Sequence, residues 1–175
     1  DAVNQVLTWM FTLDGVPLLF CGNELADADE RHSMFGKTPM DWSQLDRAPG
    51  RARHALVKEL ARLRREHPAL TAVNGRDGLI WLDTTKPDAV SAFARRGGGE
   101  TLLVVQNWTG REVSCDVSFA APKESVPSYI VAENVDRDVK GAVDPVPLHA
   151  RRAKHTAPRA FTLGPWGCWV SRVKK

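Results

Sequence analysis

Four acidic residues, Glu24, Asp27, Asp29 and Glu30, form the densest group of side chains in this sequence that could do acid–base chemistry. Two carboxyl groups can work as an acid and a base when different surroundings push their pKa values apart. Neighbours on one polar loop share the same surroundings and repel each other. We therefore expect none of the four residues to be catalytic.

Other patterns that would indicate a catalytic or cofactor site are missing. There is no nucleophile elbow, phosphate-binding loop or dinucleotide-binding glycine pattern, and we expect no cofactor. Neither the histidines nor the cysteines have the spacing of a metal site; they are His32, His54, His67, His149, His155, Cys21, Cys115 and Cys168. Each cysteine lies in an apolar segment, which predicts a buried free thiol. A bridge between Cys115 and Cys168 stays open if their strands are neighbours.

Composition is typical of a globular protein, with 175 residues, 43% hydrophobic and 26% charged. The net charge of +3 gives little support for a nucleic-acid partner. No apolar run approaches the ~20 residues of a membrane span, so we expect no membrane partner. The pattern Asn107-Trp108-Thr109 is an N-glycosylation acceptor sequence. It matters only in a secretory eukaryotic setting, for which nothing else in the sequence argues.

A short apolar run, Val16 to Cys21, is bracketed by Gly15 and Gly22. Such a run predicts a strand buried on both faces, of the kind found in parallel sheets. Helical patterns flank it, which gives the helix–strand–helix order of an α/β barrel or doubly wound sheet. One parallel strand cannot form a sheet alone. We therefore expect residues 16–21 to join another sheet, to pair with a second copy of the chain, or to contact a partner.

The two flanking helices have clear apolar stripes. The first predicted stripe contains Val3, Val6, Leu7, Met10 and Phe11, and the second helix begins near Pro49 and ends at His67-Pro68. The second stripe consists of Ala52, Leu56, Leu60 and Leu63, and the basic residues of this helix are expected to face solvent: Arg51, Arg53, Lys58, Arg62, Arg64 and Arg65.

From about residue 75 onward the pattern changes to short strands separated by turns. Val113, Cys115 and Val117 alternate with polar residues, as in a half-exposed antiparallel strand. Several such strands predict a β-sandwich, and residues 133–158 read as a long polar excursion. The predicted strands are Leu79–Leu82, Val90–Phe93, Leu102–Val105, Val113–Phe119, Tyr129–Val131, Phe161–Leu163 and Trp169–Val173.

Together, these segments resemble the C-terminal end of a glycoside hydrolase of the α-amylase family. The matching motifs are Asp14-Gly15-Val16-Pro17, Gly22-Asn23-Glu24, Met40-Asp41-Trp42 and the helix end from Leu60 to Leu70. The resemblance implies a multidomain fragment. Residues 1–74 would be the C-terminal part of a (β/α)8 TIM barrel (helix, strand, helix), and residues 75–175 an antiparallel all-β sandwich domain.

The resemblance also implies a function, as part of a retaining enzyme that acts on α-linked glucans such as starch, glycogen and malto-oligosaccharides. Retaining hydrolysis needs two carboxyl groups about 5–5.5 Å apart. In the family these groups lie on barrel strands that precede the segments matched here, so no catalytic residue is carried over and this chain alone is expected to be inactive.

Four residues are candidates for binding the glucan substrate. Glu24 could hydrogen-bond sugar hydroxyls, and Trp42 could stack on a glucose ring, although Glu24 could equally brace its loop. Asn23 and Arg31 are further candidates, for which loop bracing is the preferred interpretation.

A second function is a carbohydrate-binding or interaction module that works without a barrel. A cluster of exposed aromatic side chains on one face of the β-domain would favour it. Trp81, Trp108, Trp166 and Trp169 are the residues that decide between the two functions.

Overall fold

The computed structural model describes residues 2–29, 31, 38–71, 78–118 and 159–173. Among these residues, none of the helices has the length and apolarity to cross a membrane. The helices are α1 (Ala2–Thr12), α2 (Ala48–Glu66) and α3 (Pro68–Thr71), with two short 3-10 helices that we call the Asn23 helix (Asn23–Leu25) and the Trp42 helix (Trp42–Asp46). The strands are β1 (Leu79–Thr84), β2 (Val90–Gly97), β3 (Glu100–Asn107), β4 (Val113–Ser118), β5 (Arg159–Leu163) and β6 (Cys168–Val173).

All six strands belong to one antiparallel sheet with the order β5-β4-β1-β2-β3-β6. The predicted antiparallel all-β region is thereby confirmed, but it is one continuous sheet and not two separate sheets of a sandwich. The reason lies in β1, because residues 79–82 pair with β2 whereas Asp83 and Thr84 pair with β4. The sheet curls so far that its two edge strands meet, and the rings of Phe161 and Trp169 lie 5.5 Å apart. The predicted strand Tyr129–Val131 and the excursion at 133–158 lie outside the described residues.

Strands β2 and β3 are buried on both faces, which explains their long apolar runs. On the concave face, side chains of β2, β3 and β6 pack against Val113, Cys115 and Val117 of β4, as the alternation predicted. The opposite face packs against the helices. That second core contains Leu63, Ala69, Leu70, Phe93, Leu102, Val104, Cys168 and Val170.

The strand predicted at Val16–Cys21 is absent. Residues 16–20 are extended but pair with no strand in the described part of the chain, and they do not join the six-stranded sheet. Val16 is 91% exposed and Leu18 is 84% exposed, whereas Leu19 packs between α1 and α2. The apolar run therefore buries one side only. A prediction of burial on both faces is wrong here because a strand needs neighbouring strands to bond its backbone.

Helix α1 buries a different face from the one predicted. Leu7 and Phe11 are buried as expected, but Val3 and Val6 are about half exposed. The buried face also carries Gln5, whose Nε2 donates to the carbonyls of Asn107 and Gly167 at 3.3 Å each. Its two buried threonines, Thr8 and Thr12, donate to carbonyls of their own helix.

The C-terminal end of α1 is capped by an arginine from α2. Arg64 Nη1 donates to the carbonyl of Phe11 at 2.9 Å and to that of Leu13 at 3.4 Å, and Nη2 contacts the carbonyl of Gly15. The last carbonyls of a helix have no partner within the helix, and a cation there also suits the helix dipole. The prediction that the basic residues of α2 face solvent is therefore wrong for Arg64, and also for Arg53, which contacts Asn4.

A second arginine reaches the same helix end from the sheet. The fully buried Arg95 of β2 donates to the carbonyl of Thr12 at 3.3 Å and to Asp14 Oδ1 at 3.1 Å. Burial lowers the pKa of Arg95, and the carboxylate of Asp14 acts in the opposite direction. An arginine stays charged under such a shift because its ordinary pKa is far above neutral. Two guanidinium groups thus join α1 to both α2 and the sheet.

The buried carboxylate of Glu100 joins the helices to the β2–β3 hairpin. Glu100 Oε1 accepts the backbone N–H of Ala69 at 3.0 Å, and Oε2 lies 3.1 Å from His67 Nδ1. Gly98 lies in the hairpin with a φ of 57°, and a Cβ there would come within 2.3 Å of Pro68. The His-Pro end of α2 therefore docks closely onto this hairpin.

The Asn107 side chain has a structural role in the folded chain. It is fully buried, and its Nδ2 donates to the carbonyls of Arg111 and Gly164 at 2.7 Å each. Its Oδ1 accepts the backbone N–H of Thr109 at 2.9 Å. The glycosylation pattern at 107–109 therefore encodes a turn that ties β3 to the β5–β6 connection, and the folded chain does not present the acceptor amide to solvent.

The three cysteines are all free, and only two of them are buried. Burial raises the pKa of Cys168 to about 12, and it also raises the pKa of Cys115. No bridge joins these two cysteines, whose strands β4 and β6 are not neighbours. Cys21 is exposed, so the prediction of burial is wrong for this residue, as it is for the apolar run that contains it.

Helix α2 begins with a close contact to both 3-10 helices. Gly50 is buried in its first turn, and a Cβ at this position would lie 2.0 Å from the carbonyl oxygen of Gln44 and 3.0 Å from that of Leu25. Both of these atoms belong to backbone, which cannot rotate away as a side chain would. The absence of a side chain at Gly50 lets the Asn23 helix and the Trp42 helix pack on α2.

We expect the substitution Arg64→Met to lower the free energy of unfolding by about 1–2 kcal/mol, because it leaves carbonyls of α1 without a charged donor. Arg65→Met is the matched control, since Arg65 is exposed on the next position of the same helix. Urea unfolding followed by circular dichroism measures both. Equal stability of the two variants would contradict the capping role of Arg64.

We expect Gly50→Ala to destabilise the chain by about 1–3 kcal/mol, because overpacking against backbone outweighs the helix propensity that alanine adds. His54→Ala, at an exposed position one turn later, should change stability little. Unfolding midpoints of both variants test this. A Gly50→Ala variant as stable as the parent would show that the contact is looser than described.

Candidate functional site

Three of the four predicted site residues lie on two short helices that touch each other. The Asn23 helix carries Asn23 and Glu24, the Trp42 helix begins with Trp42, and both helices pack against α2. The Asn23 helix lies between two residues in left-handed conformation, Gly22 with a φ of 90° and Ala26 with a φ of 54°. These sharp turns at both ends keep the helix to a single turn and fix where Glu24 leaves the backbone.

Asn23 is held through its backbone. Its N–H donates to the carbonyl of Phe20 at 3.0 Å, and its carbonyl accepts from Arg53 Nη1 at 3.4 Å. Arg53 also contacts the side chain of Asn4, so one guanidinium links α1, α2 and the Asn23 helix. Burial lowers the pKa of Arg53. These contacts agree with the interpretation that Asn23 braces the loop.

Glu24 is half-buried, and its contacts differ from those of the neighbouring Asn23. Within the described part of the chain, no hydrogen bond or ion pair engages its carboxylate. The alternative in which Glu24 braces its own loop therefore finds no contact to support it. Its carboxylate oxygens are available to accept hydrogen bonds from a ligand.

Trp42 presents its ring to solvent from a rigid base. The side chain is 60% exposed, and the preceding Asp41 caps the helix by accepting the N–H of Ser43 at 3.0 Å and its hydroxyl at 2.6 Å. These bonds from Ser43 lower the pKa of Asp41. At the other end, Arg51 Nη1 donates to the carbonyl of Asp46 at 2.6 Å. Both ends of the helix are fixed while the indole stays free to contact a ligand.

Arg31 makes its contacts within its own loop. Its Nε donates to both carboxylate oxygens of Asp29, at 2.9 and 3.0 Å. The hydrogen bond to Asp29 raises the pKa of Arg31. The backbone N–H of Asp29 in turn donates to Asp27 Oδ1 at 3.0 Å. Asp27 and Asp29 thus hold the loop in shape, and Glu30 lies outside the described residues.

Among the described residues, no three His, Cys, Asp or Glu side chains come together as they would around a metal ion.

The four tryptophans named for the module function do not form an exposed cluster in the part of the chain that the structure describes. Trp169 is buried, and Trp108 and Trp166 are half-buried. Trp108 also packs edge-on against Trp9 of α1, with the ring centroids 5.9 Å apart. Only Trp81 of the four is exposed, at 57%.

Several residues that position the site were not identified from the sequence. Arg53 carries no local signal, because an arginine on a polar helix face resembles its neighbours whatever it contacts. Gly50 does carry one, since a glycine within a helix costs about 1 kcal/mol relative to alanine and therefore indicates a packing reason.

No family model matches the sequence. Curated relatives include the 1,4-alpha-glucan branching enzyme GlgB of Cupriavidus necator, 39% identical over 106 residues, which is 58% of this chain and 14% of that enzyme. GlgB of Cellvibrio japonicus is 34% identical over 104 residues, again 58% of this chain and 14% of the relative. The chain therefore spans about 14% of the length of the curated relatives it matches.

Solved structures with the same fold include the maltogenic alpha-amylase AmyB of Thermotoga neapolitana. It superposes with a TM-score of 0.67 and 21% identity over 99% of this chain and 37% of its own. The trehalulose synthase MutB of Pseudomonas mesoacidophila gives a TM-score of 0.59 and 17% identity over 99% of this chain and 38% of its own. The resemblance expected from the sequence is thus confirmed: about 58% of this chain is similar in sequence to part of the GlgB branching enzymes, which belong to the α-amylase family.

Proposed function

We propose that this chain is the C-terminal part of an enzyme that cleaves and re-forms α-glucosidic bonds in an α-glucan. The observation that carries the proposal is the 39% identity to a 1,4-alpha-glucan branching enzyme over 58% of the chain. A branching enzyme transfers a glucan segment to another glucan, so the relatives favour transfer over hydrolysis.

The reaction would follow the double-displacement route that retaining enzymes use. One carboxylate attacks the sugar to form a covalent glycosyl-enzyme, while a second carboxyl group protonates the leaving oxygen and then activates the acceptor. Both groups would come from polypeptide outside this chain, and the chain alone would be inactive. Its own contribution would be to bind and orient the glucan.

The 24–42 region supports a role in substrate binding. An exposed indole and a carboxylate that no described residue engages lie on adjacent, well-anchored helices. The apolar CH face of a glucose ring can stack on Trp42, while Glu24 accepts hydrogen bonds from hydroxyl groups. Asn23 and Arg31 would hold the loop that carries them.

The segment 1–74 would close a (β/α)8 barrel in the full-length enzyme, with 75–175 as a separate domain. The exposure of Val16, Leu18 and Phe20 supports this proposal, because these side chains alternate along an extended segment as they would in a barrel strand. In the isolated chain, the same exposed segment could pair with a second copy.

The rival function, a carbohydrate-binding or interaction module without a barrel, has less support. A module of that kind would be favoured by several exposed aromatic rings on one face. Of the four tryptophans considered, three are packed wholly or partly inside the described part of the domain.

We expect the isolated chain to show no branching or hydrolytic activity and the full-length protein to have branching activity. The change in the iodine absorption of amylose reports branching, and an assay of reducing ends reports hydrolysis. Activity in the isolated chain would overturn the placement of the catalytic carboxylates outside it. A full-length protein with neither activity would overturn the proposed function.

We expect Trp42→Ala and Glu24→Gln in the full-length enzyme to lower kcat/KM for amylose by about tenfold each, which corresponds to a loss of about 1.4 kcal/mol. Lys58→Ala, on the exposed face of α2, is the control and should change kcat/KM little. Thermal unfolding of each variant separates binding from folding. Unchanged kcat/KM in both site variants would remove these residues from the binding site.

A further inference from the structure

Four side chains form one continuous row across the sheet. Trp81 of β1 is paired with Phe93 of β2, Phe93 with Val104 of β3, and Val104 with Val170 of β6. Residues that are directly paired on adjacent strands point to the same face of a sheet. Three members of the row are almost completely buried, whereas Trp81 is 57% exposed.

The members of this row are buried where the helices cover the sheet. Phe93, Val104 and Val170 pack in one core with Leu63 of α2 and with Ala69 and Leu70 of α3. The next strand, β1, carries Trp81 on the same face, beyond the part that these helices cover. The Trp81 ring is nevertheless held in place, edge-on to Phe93 with the centroids 5.3 Å apart.

The surroundings of Trp81 indicate what would cover it. On its own strand and face, Leu79 belongs to the helix–sheet core and Asp83 is exposed. A sugar site combines an aromatic ring with several converging polar groups, but the neighbours of Trp81 toward the helices are apolar. The face therefore continues the surface on which the sheet packs against α2 and α3, and it fits another apolar protein element.

We propose that Trp81 anchors a docking surface for an apolar helical face supplied by the part of the full-length enzyme that lies outside this chain. This inference rests on the proposed function, in which the chain is part of a longer enzyme. The solved structures with this fold are longer chains, of which this one matches 37% of AmyB and 38% of MutB. The remainder of a chain of that size can supply the missing layer.

Thiol labelling tests the proposal directly. Trp81→Cys is made in a Cys21→Ser background, which removes the exposed native thiol and keeps the two buried ones. We expect a maleimide to label this cysteine in the isolated chain and to label it at least tenfold more slowly in the full-length enzyme. Thr162→Cys, on the exposed face of β5, is the matched control and should react equally in both.

Equal labelling of the Trp81→Cys site in the two proteins would overturn the proposal. Protection that appears only after maltodextrin is added would assign the surface to glucan and would overturn it as well. Because the cysteine variant could fail to fold, hydroxyl-radical footprinting of the unsubstituted proteins provides a second readout. Oxidation of Trp81 should fall in the full-length enzyme to the level of the buried Trp169.

The outcomes also separate this inference from the proposed function. Branching activity with a reactive Trp81 site would overturn the docking surface alone. A protected site in a full-length protein without branching or hydrolytic activity would overturn the proposed function alone.

Discussion

The two guanidinium groups at the C-terminal end of α1 connect the helical and β parts of this chain. Arg64 comes from α2 and Arg95 from β2, and both donate to carbonyls that the helix itself leaves without partners. The two positive charges repel each other. The charge of Arg95 lowers the pKa of Arg64, in addition to the larger effect of burial. The negative end of the helix dipole and the carboxylate of Asp14 lie at the same point and offset this repulsion.

This junction determines where the candidate site lies. Once the end of α1 is fixed, the chain leaves it through residues 16–20 with Leu19 packed inward, and it reaches the Asn23 helix. Arg53 then ties that helix back to the start of α1, and Gly50 lets it pack on α2. Glu24 is thus positioned by contacts from both long helices, although it makes none of these contacts itself.

Much of this architecture could be predicted from the sequence. Helix α2 begins at Ala48 and ends at Glu66, close to the predicted limits at Pro49 and His67, because proline near its start and the His-Pro pair are strong local signals. Beyond residue 75, each predicted strand within the described residues is present, because alternation and turns are local patterns as well. Glu24 and Trp42 could be named as candidates only through a family resemblance, and their role in binding stays a prediction.

What could not be predicted depends on contacts between distant segments. An apolar run such as 16–21 indicates burial, but the sequence of the run does not say whether its neighbouring strands are present. Likewise, Arg64 and Arg65 are the same residue type at adjacent positions of one helix, and only the position of α1 makes Arg64 a cap. Whether the β-region closes as one sheet or two depended on β1 changing partners after Leu82, for which the sequence has no marker.

Helix α1 lacks the charged side chains that the exposed side of a helix normally carries. Its eleven residues contain no charged side chain, whereas a helix on the surface of a globular protein normally has a polar face. Its sheet-facing side carries Gln5, Thr8 and Thr12, and its outward side carries Val3 and Val6. A helix that is apolar on the side facing solvent is built to be covered there too. The exposed side of α1 and the exposed Trp81 are therefore two apolar surfaces, on separate elements, that the described residues leave uncovered.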